Sequence, residues 1–424
     1  MRFVRNLLDG LAAAWRQIWF TPSATTPLEL TRIGLGAALF VHYALATPYV
    51  TLFWGDAGLM PRSLLAKEST NPLAQSLFFY FGADWQLTAF HYLFLAACLA
   101  LMFGWRTSLV KWVVLIGQIS FDHRNPIFLY GVDKILASLM FILCVAPIGR
   151  ALSLDRVRAV RAAKRERLEA VLPLIRSEWT GACIRLMQIQ MAVLFFYSAV
   201  AKAGDDWYSG EAVWTVFTTD EHYHPLMLYL FASHYWLVNV ATYGTILIEL
   251  AYPFLIWQRE TRPYLLVAAI FLHLQFGVLM GLYFFSFVMI MGHMSFLRQE
   301  WLAALGAWWR TRTGPMEMIY DGRCGFCTRS MAWFLAFDGL GQIAARDFRK
   351  NPSPVVSDEK MEKALYLVLP GGRALPGFEA YRYVVLRVPG LWWQVPLFYV
   401  PVFSRLIGHP VYNWIAANRA RMPF

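Results

Sequence analysis

Eight stretches of the chain are apolar for long enough to enter a lipid bilayer: residues 28–54, 87–104, 109–121, 128–148, 182–202, 237–257, 264–282 and 284–297. A helix needs about 20 such residues to cross the hydrocarbon, where every backbone N–H and C=O must find its partner within the chain. This pattern leaves a polytopic all-α membrane bundle as the fold. Stretches 109–121 and 284–297 are short. The last two run almost together through Gly281, as one long helix, a tight hairpin, or a span with a re-entrant piece. Seven or eight transmembrane helices are expected. Hydrophobic residues make up 58% of the chain and charged residues 15%, which excludes a disordered chain and argues against a single soluble globule.

Loop charge orients the bundle, because Lys and Arg gather in cytoplasmic loops. Residues 150–180 hold eight Lys or Arg against four Asp or Glu. Residues 203–235 hold five acids and no Lys or Arg. The first loop should lie inside and the second outside. Arg2, Arg5 and Arg16 then place the amino terminus inside, and Arg298, Arg310 and Arg312 do the same for the segment after the last stretch. An even count satisfies every loop, so eight spans are favoured, with both termini on the cytoplasmic side of a bacterial inner membrane. Residues 1–24 read as an amphipathic helix in the interface rather than a cleavable signal peptide. Trp54, Trp105, Trp236 and Trp257 end apolar stretches and read as interface anchors. The net charge of +11 is scattered in short runs, which excludes a nucleic-acid face.

The texture changes after residue 313. Residues 316–320 read as a buried strand, 321–327 as the opening of a helix reaching residue 337, and 343–348 as a second strand. Next come a short helix at 358–363, a hairpin through Pro370-Gly371-Gly372 and helices over 378–387 and 411–421. That order suits a small α/β domain. The expected division is 1–24, 25–313 and 314–424.

Asp321-Gly322-Arg323-Cys324-Gly325-Phe326-Cys327 is the strongest local signal. A Cys-x-x-Cys that comes after a strand and opens a helix puts the first sulfur at unpaired N–H groups and a partial positive charge, which favour a thiolate. Cys324 is then the exposed nucleophile. Cys327, one turn on, can attack a mixed disulfide, so the pair can cycle between dithiol and disulfide. Structural zinc needs four ligands, and His409 is the only Cys or His after Cys327, so no metal is expected. Cys98, Cys144 and Cys183 stand alone in apolar stretches and read as core residues.

Tyr320-Asp321-Gly322-x-Cys324-x-x-Cys327, Gly372-x-x-x-Pro376-Gly377-Phe378-x-Ala380 and Tyr412-x-Trp414-Ile415-x-x-Asn418-Arg419 resemble the DCC family over about residues 315–424. The resemblance implies a thioredoxin-like thiol–disulfide oxidoreductase with Asp321, Cys324 and Cys327 at its active site. No proline precedes the strand at Ala364, where better-known thioredoxins carry a cis-proline.

Lys202 closes the stretch 182–202. An ionisable residue at membrane depth is costly and often functional, and a lysine in an apolar site can serve as a base. Its alternative is to snorkel to the interface. The region 25–297 is similar to the HTTM domain shared with vitamin K-dependent γ-glutamyl carboxylase, through Phe53-Trp54-Gly55-Asp56-x-Gly58-Leu59-x-Pro61-Arg62, the stretch around Lys202, and His273-Leu274 through Phe296. That resemblance implies that Lys202 is the base that deprotonates a quinol, and that an isoprenoid quinone is a possible cofactor. Two departures separate the chain from carboxylation itself. Leu129-Tyr130-Gly131 comes after Asn125-Pro126-Ile127-Phe128, with His123 the nearest histidine, and the carboxylase's large lumenal substrate domain has no counterpart.

Other polar residues at membrane depth are His42, His91, Asp133, Lys134, Arg185, Glu249, His273 and His293. Glu249 has no cation near it in sequence and needs one from another helix. His273 and His293 could face one cavity. Together with Glu249 they form a candidate cofactor pocket. The expected function is a membrane-bound thiol–disulfide oxidoreductase whose partners are the bilayer and a thiol or disulfide, either a protein or a small thiol. A carboxylase-like, quinol-using or lipid-modifying enzyme with Lys202 as base is one alternative. A non-catalytic binding or immunity-type protein is the other.

Overall fold

The computed structural model describes residues 2–68, 76–81, 83–162, 175–314 and 316–418. The chain divides into two compact units, Met1–Ile148 with Arg176–Phe296 and Gly149–Ile175 with Leu297–Phe424. In the first unit each of the eight apolar stretches is helical: Thr26–Ala46, Asp84–Phe103, Thr107–Arg124, Gly131–Val145, Glu178–Ala201, Trp236–Leu255, Arg262–Met280 and Tyr283–His293. Among the described residues, five helices are long and apolar enough to cross a membrane. The other three fall short for separate reasons. Thr107–Arg124 carries Lys111, Asp122 and Arg124. Gly131–Val145 has 15 residues, a rise of about 22 Å against hydrocarbon about 30 Å thick. Tyr283–His293 has 11, extended by a turn at Met294–Phe296.

Gly281 settles the form of the last pair. It takes a left-handed conformation at φ 72°, which a residue with a Cβ adopts at a cost. The helices on either side fold back as a hairpin, and Gly277 lies against Ser286. Residues 203–235, expected as a loop, contain the short helices Asp205–Tyr208, Ala212–Thr218 and Pro225–Ser233. Trp54, expected at the interface, is instead buried, with its ring 4.9 Å from that of Phe121. A 3₁₀ turn at Thr47–Tyr49 separates Thr26–Ala46 from the helix Val50–Trp54, whose last ring packs among aromatic neighbours.

Buried arginines tie the helix ends. Glu29 and Arg32 are both fully buried and bond at 2.7 Å. Arg32 also donates to the carbonyls of Leu101 and Met102, in the last turn of Asp84–Phe103, where helical carbonyls run short of N–H partners. Arg124 donates to the carbonyls of Met60 at 2.6 Å and Gly55 at 3.0 Å and to Asp56. Asp56 also takes both of its oxygens to Arg62, whose hydrogen bonds hold its carboxyl pKa below the usual value. The stretch Phe53–Arg62 is thus a knot of charge at one end of the bundle.

The second unit is built on a mixed sheet of β1 (Met316–Tyr320), β2 (Ile343–Asp347), β3 (Tyr366–Val368) and β4 (Ala374–Pro376), in the order β2-β1-β3-β4. β1 and β2 are parallel and joined by the helix Gly325–Phe337, while β3 and β4 form an antiparallel hairpin. The helix Gly377–Arg387 comes next. Alternation along β1 sends Met316 and Met318 to one face, against Met331, Phe334, Leu367 and Val384. Ile319 goes to the other, against Phe348 and Met361.

Two segments beyond 314–424 complete this unit. The helix Leu154–Ala162, read from sequence only as a basic loop, puts Val157 into the larger core. The helix Gln299–Thr313 sends Arg310 to the carbonyls of Leu340 at 3.0 Å and Gly341 at 2.6 Å. The rest of the loop, residues 163–174, and Arg419 lie outside the described residues.

Candidate redox site and buried polar cluster

The chain leaves β1 through a tight turn. The Cys324 N–H donates to the Asp321 carbonyl at 3.2 Å, and the Arg323 N–H to the Asp321 carboxylate at 2.9 Å. An aspartate that bonds its own backbone two residues on favours such a turn. Cys324 then occupies the N-cap of Gly325–Phe337 with extended backbone, and its sulfur accepts the Cys327 N–H at 3.3 Å. Ser, Thr, Asp or Asn usually caps a helix by this bond; here a sulfur makes it. Neither cysteine is in a disulfide; Cys324 is half-buried and Cys327 buried. The first sulfur is open to a partner, and the second waits one turn inside.

Asp321 is clamped. Both of its oxygens lie 3.1 Å from Arg349, through Nε and Nη2. Arg349 also reaches Glu362 at 2.8 Å. Hydrogen bonds to Asp321 first and Glu362 second push the guanidinium pKa above its ordinary value, so it stays charged at every working pH. Sequence pattern placed Asp321 beside the sulfurs but gave no sign of Arg349, which lies 28 residues on, just past β2. Arg349→Lys keeps the charge and loses the two-pronged fit. It should speed amide exchange at Gly322 and Arg323 and slow disulfide exchange at Cys324, both measurable on the same preparation.

Asp347, at the end of β2, accepts the N–H groups of Gly322 at 2.9 Å and Arg349 at 3.1 Å. A Cβ at residue 322 would overlap the Asp347 carboxylate. Gly322→Ala should therefore destabilise the second unit by roughly 1–3 kcal/mol, read as a fall in its thermal midpoint. An unchanged midpoint would show that the loop can move aside. Among the described residues no group of three or more His, Cys, Asp or Glu could hold a metal ion. His409 packs its ring 4.1 Å from that of Phe378.

The first unit gathers Lys202, Glu249, His273 and His293. Lys202 turns back along its own helix. Its Nζ lies 2.7 Å from Ser198 Oγ and 2.9 and 2.7 Å from the two oxygens of Glu249. Glu249 thus takes its cation from the antiparallel neighbour Glu178–Ala201. The His273 and His293 rings are 5.5 Å apart, and both are buried. The Tyr252 hydroxyl lies 2.7 Å from His293 Nδ1, and Phe195 stacks on Tyr252 at 4.0 Å. His273 Nδ1 and Nε2, His293 Nε2 and Ser286 Oγ are buried without a hydrogen-bond partner. Sequence reading named Lys202, Glu249 and both histidines, without pairing the first two, and missed Tyr252 and Ser286. A tyrosine or serine in an apolar run carries no signal until its neighbours are known.

Four other polar residues at membrane depth, His91, Asp133, Arg185 and His42, have structural partners. His91 Nε2 lies 2.9 Å from Thr47 Oγ1. Asp133 accepts the Tyr130 N–H at 2.8 Å. Arg185 donates to the Ile18 carbonyl, at the end of the helix Arg2–Trp19. His42 stacks on Phe284 at 4.3 Å.

Comparison with known proteins matches residues 20–301 to the HTTM domain and residues 318–424 to the DCC1-like thiol-disulfide oxidoreductase family. Neither curated proteins nor solved structures give a significant match. The chain belongs to the HTTM domain family and carries a DCC1-like thiol–disulfide oxidoreductase domain at its carboxyl end.

Proposed function

We propose that this protein is a membrane-embedded thiol–disulfide oxidoreductase. One observation carries the reading: the half-buried Cys324 sulfur caps a helix and accepts the Cys327 N–H, with the second thiol buried one turn on. The Cys324 thiolate attacks a partner disulfide and releases one thiolate. Cys327 then attacks Cys324, releases the second and closes an intramolecular disulfide, so that two electrons pass to the partner. The β-α-β, β-β-α order of the domain supports a thioredoxin-like fold. Asp321 positions the loop, because Arg349 already holds both of its oxygens.

The proposed topology has eight crossings, with both termini on the cytoplasmic side of a bacterial inner membrane. A membrane-impermeant thiol reagent tests it. Cys324 should be labelled in opened cells and spared in intact ones. Labelling in intact cells would put the domain outside and overturn a reductase fed by cytoplasmic thiols. A dithiol–disulfide couple at roughly −120 to −300 mV is expected, and its absence would favour the non-catalytic alternative.

A second reading concerns the HTTM domain. Four buried polar atoms without partners stand beside the Lys202–Glu249 pair, a donor set that suits the head group of an isoprenoid quinone. Lys202, His273 and His293 would hold that head group, and Glu249 would fix the lysine. The quinone, when bound, supplies two-electron, two-proton chemistry. Lys202 takes up or releases a proton at Nζ, and the surrounding aromatic rings exclude water. Quinol turnover that persists without both cysteines and vanishes in Lys202→Ala would select the carboxylase-like or lipid-modifying alternative. The redox domain would then be accessory.

A further inference from the structure

We infer that the carboxyl-terminal helix of the redox domain docks on an anionic lipid surface. Residues 401–418 form one continuous helix, with a π turn over Ser404–Gly408. Its inner side packs onto the domain: Ser404 is buried, Gly408 and His409 lie against Phe378, and Tyr412 lies against Gly377. That side is the one expected to be apolar in a helix at the edge of a water-soluble domain.

The outer side is apolar instead. Val402, Phe403, Leu406, Ile407, Val411 and Trp414 are all exposed, Leu406 at 72% and Trp414 at 63%. The π turn inserts one residue and keeps them in a single stripe. Trp392 and Trp393, each more than half exposed, add two further indole rings earlier in the same carboxyl-terminal segment. Soluble domains rarely present so much contiguous apolar surface unless something covers it.

The chemistry of the patch selects the occupant. Tryptophan concentrates where hydrocarbon meets headgroups. The segment 373–418 carries Arg373, Arg382, Arg387 and Arg405 against Glu379 alone, and the sequence continues with Arg419, Arg421 and Phe424. An apolar stripe flanked by arginine fits a layer of anionic headgroups over acyl chains. It fits a partner protein of either charge less well. Among the described residues of the same chain five helices are long and apolar enough to cross a membrane, so the domain is tethered to a lipid surface.

A photoreactive benzoylphenylalanine placed at Leu406 or Trp414 of the full chain, in nanodiscs of phosphatidylglycerol and phosphatidylcholine, tests this. Irradiation should yield lipid adducts at both positions and none at the exposed Lys360. Adding Leu406→Glu should abolish the lipid adduct of the same probe placed at Phe403. Leu406 touches no core, and Leu406→Glu should keep its disulfide exchange in detergent, so loss of the adduct cannot be put down to misfolding. An adduct between two copies of the chain at residue 406, or equal lipid adducts at residue 360, would overturn the inference. The outcome does not depend on the chemistry of Cys324.

Discussion

Serine in place of Cys324 should abolish the fast reaction of the full-length protein with a small aromatic disulfide, a fall of roughly 10³-fold or more. The hydroxyl can still accept the Cys327 N–H, so the helix keeps its cap while the nucleophile is gone. Serine in place of Cys327 should behave differently. The first half-reaction proceeds at Cys324, one equivalent of thiolate is released, and the mixed disulfide accumulates as an added mass on that residue. The second equivalent is not released, because the resolving sulfur is missing. This split arises from burial, since Cys324 is half-exposed and Cys327 is 7% exposed. The slow reaction left in the Cys324→Ser variant comes from Cys327, Cys98, Cys144 and Cys183, which are all buried. If the faster sulfur proved to be Cys327, or if the double variant kept full turnover, the assignment of roles would be wrong.

Lys202→Met should lower the stability of the HTTM domain by roughly 2–4 kcal/mol, the scale on which loss of one member of a buried ion pair is felt. Glu249, with its side chain 6% exposed, would keep a charge inside the bundle with its cation removed. Glu249→Leu should cost less. Lys202 has a long stem and stands at a helix end, so it can swing its charge to the interface. The double variant Lys202→Met/Glu249→Leu should recover most of the loss, because it removes both charges together. Thermal unfolding of the four proteins in detergent gives the coupling energy directly. Additive losses would mean that the two side chains do not meet.

Much of this architecture is legible because it depends on chain-local physics. A run of apolar residues must be helical in lipid wherever its neighbours lie, so each apolar stretch is a helix. Cys324 and Cys327 are three apart, so a strand-to-helix turn brings them together without help from the rest of the chain. The polar residues Glu249, His273 and His293 stand out against their apolar surroundings. Lys202 could be read as pointing either way, since a residue at a helix end has both the interface and the bundle within reach.

Features that the linear chain could not carry were set by partners distant along it. The inward turn of Lys202 depends on Glu249, 47 residues away. The hold on Asp321 depends on Arg349, and the Tyr252–His293 bond on two helices packing in register. Span count was also beyond sequence arithmetic, because a short helix such as Gly131–Val145 is as apolar per residue as a long one. The composition, the helical stretches and the sulfur pair were therefore determined by sequence alone. The counter-ions, the recruitment of Leu154–Ala162 into the redox unit and the outward apolar stripe of 401–418 were decided by tertiary packing. Only packing fixes which face of a helix is covered and which charge finds its opposite.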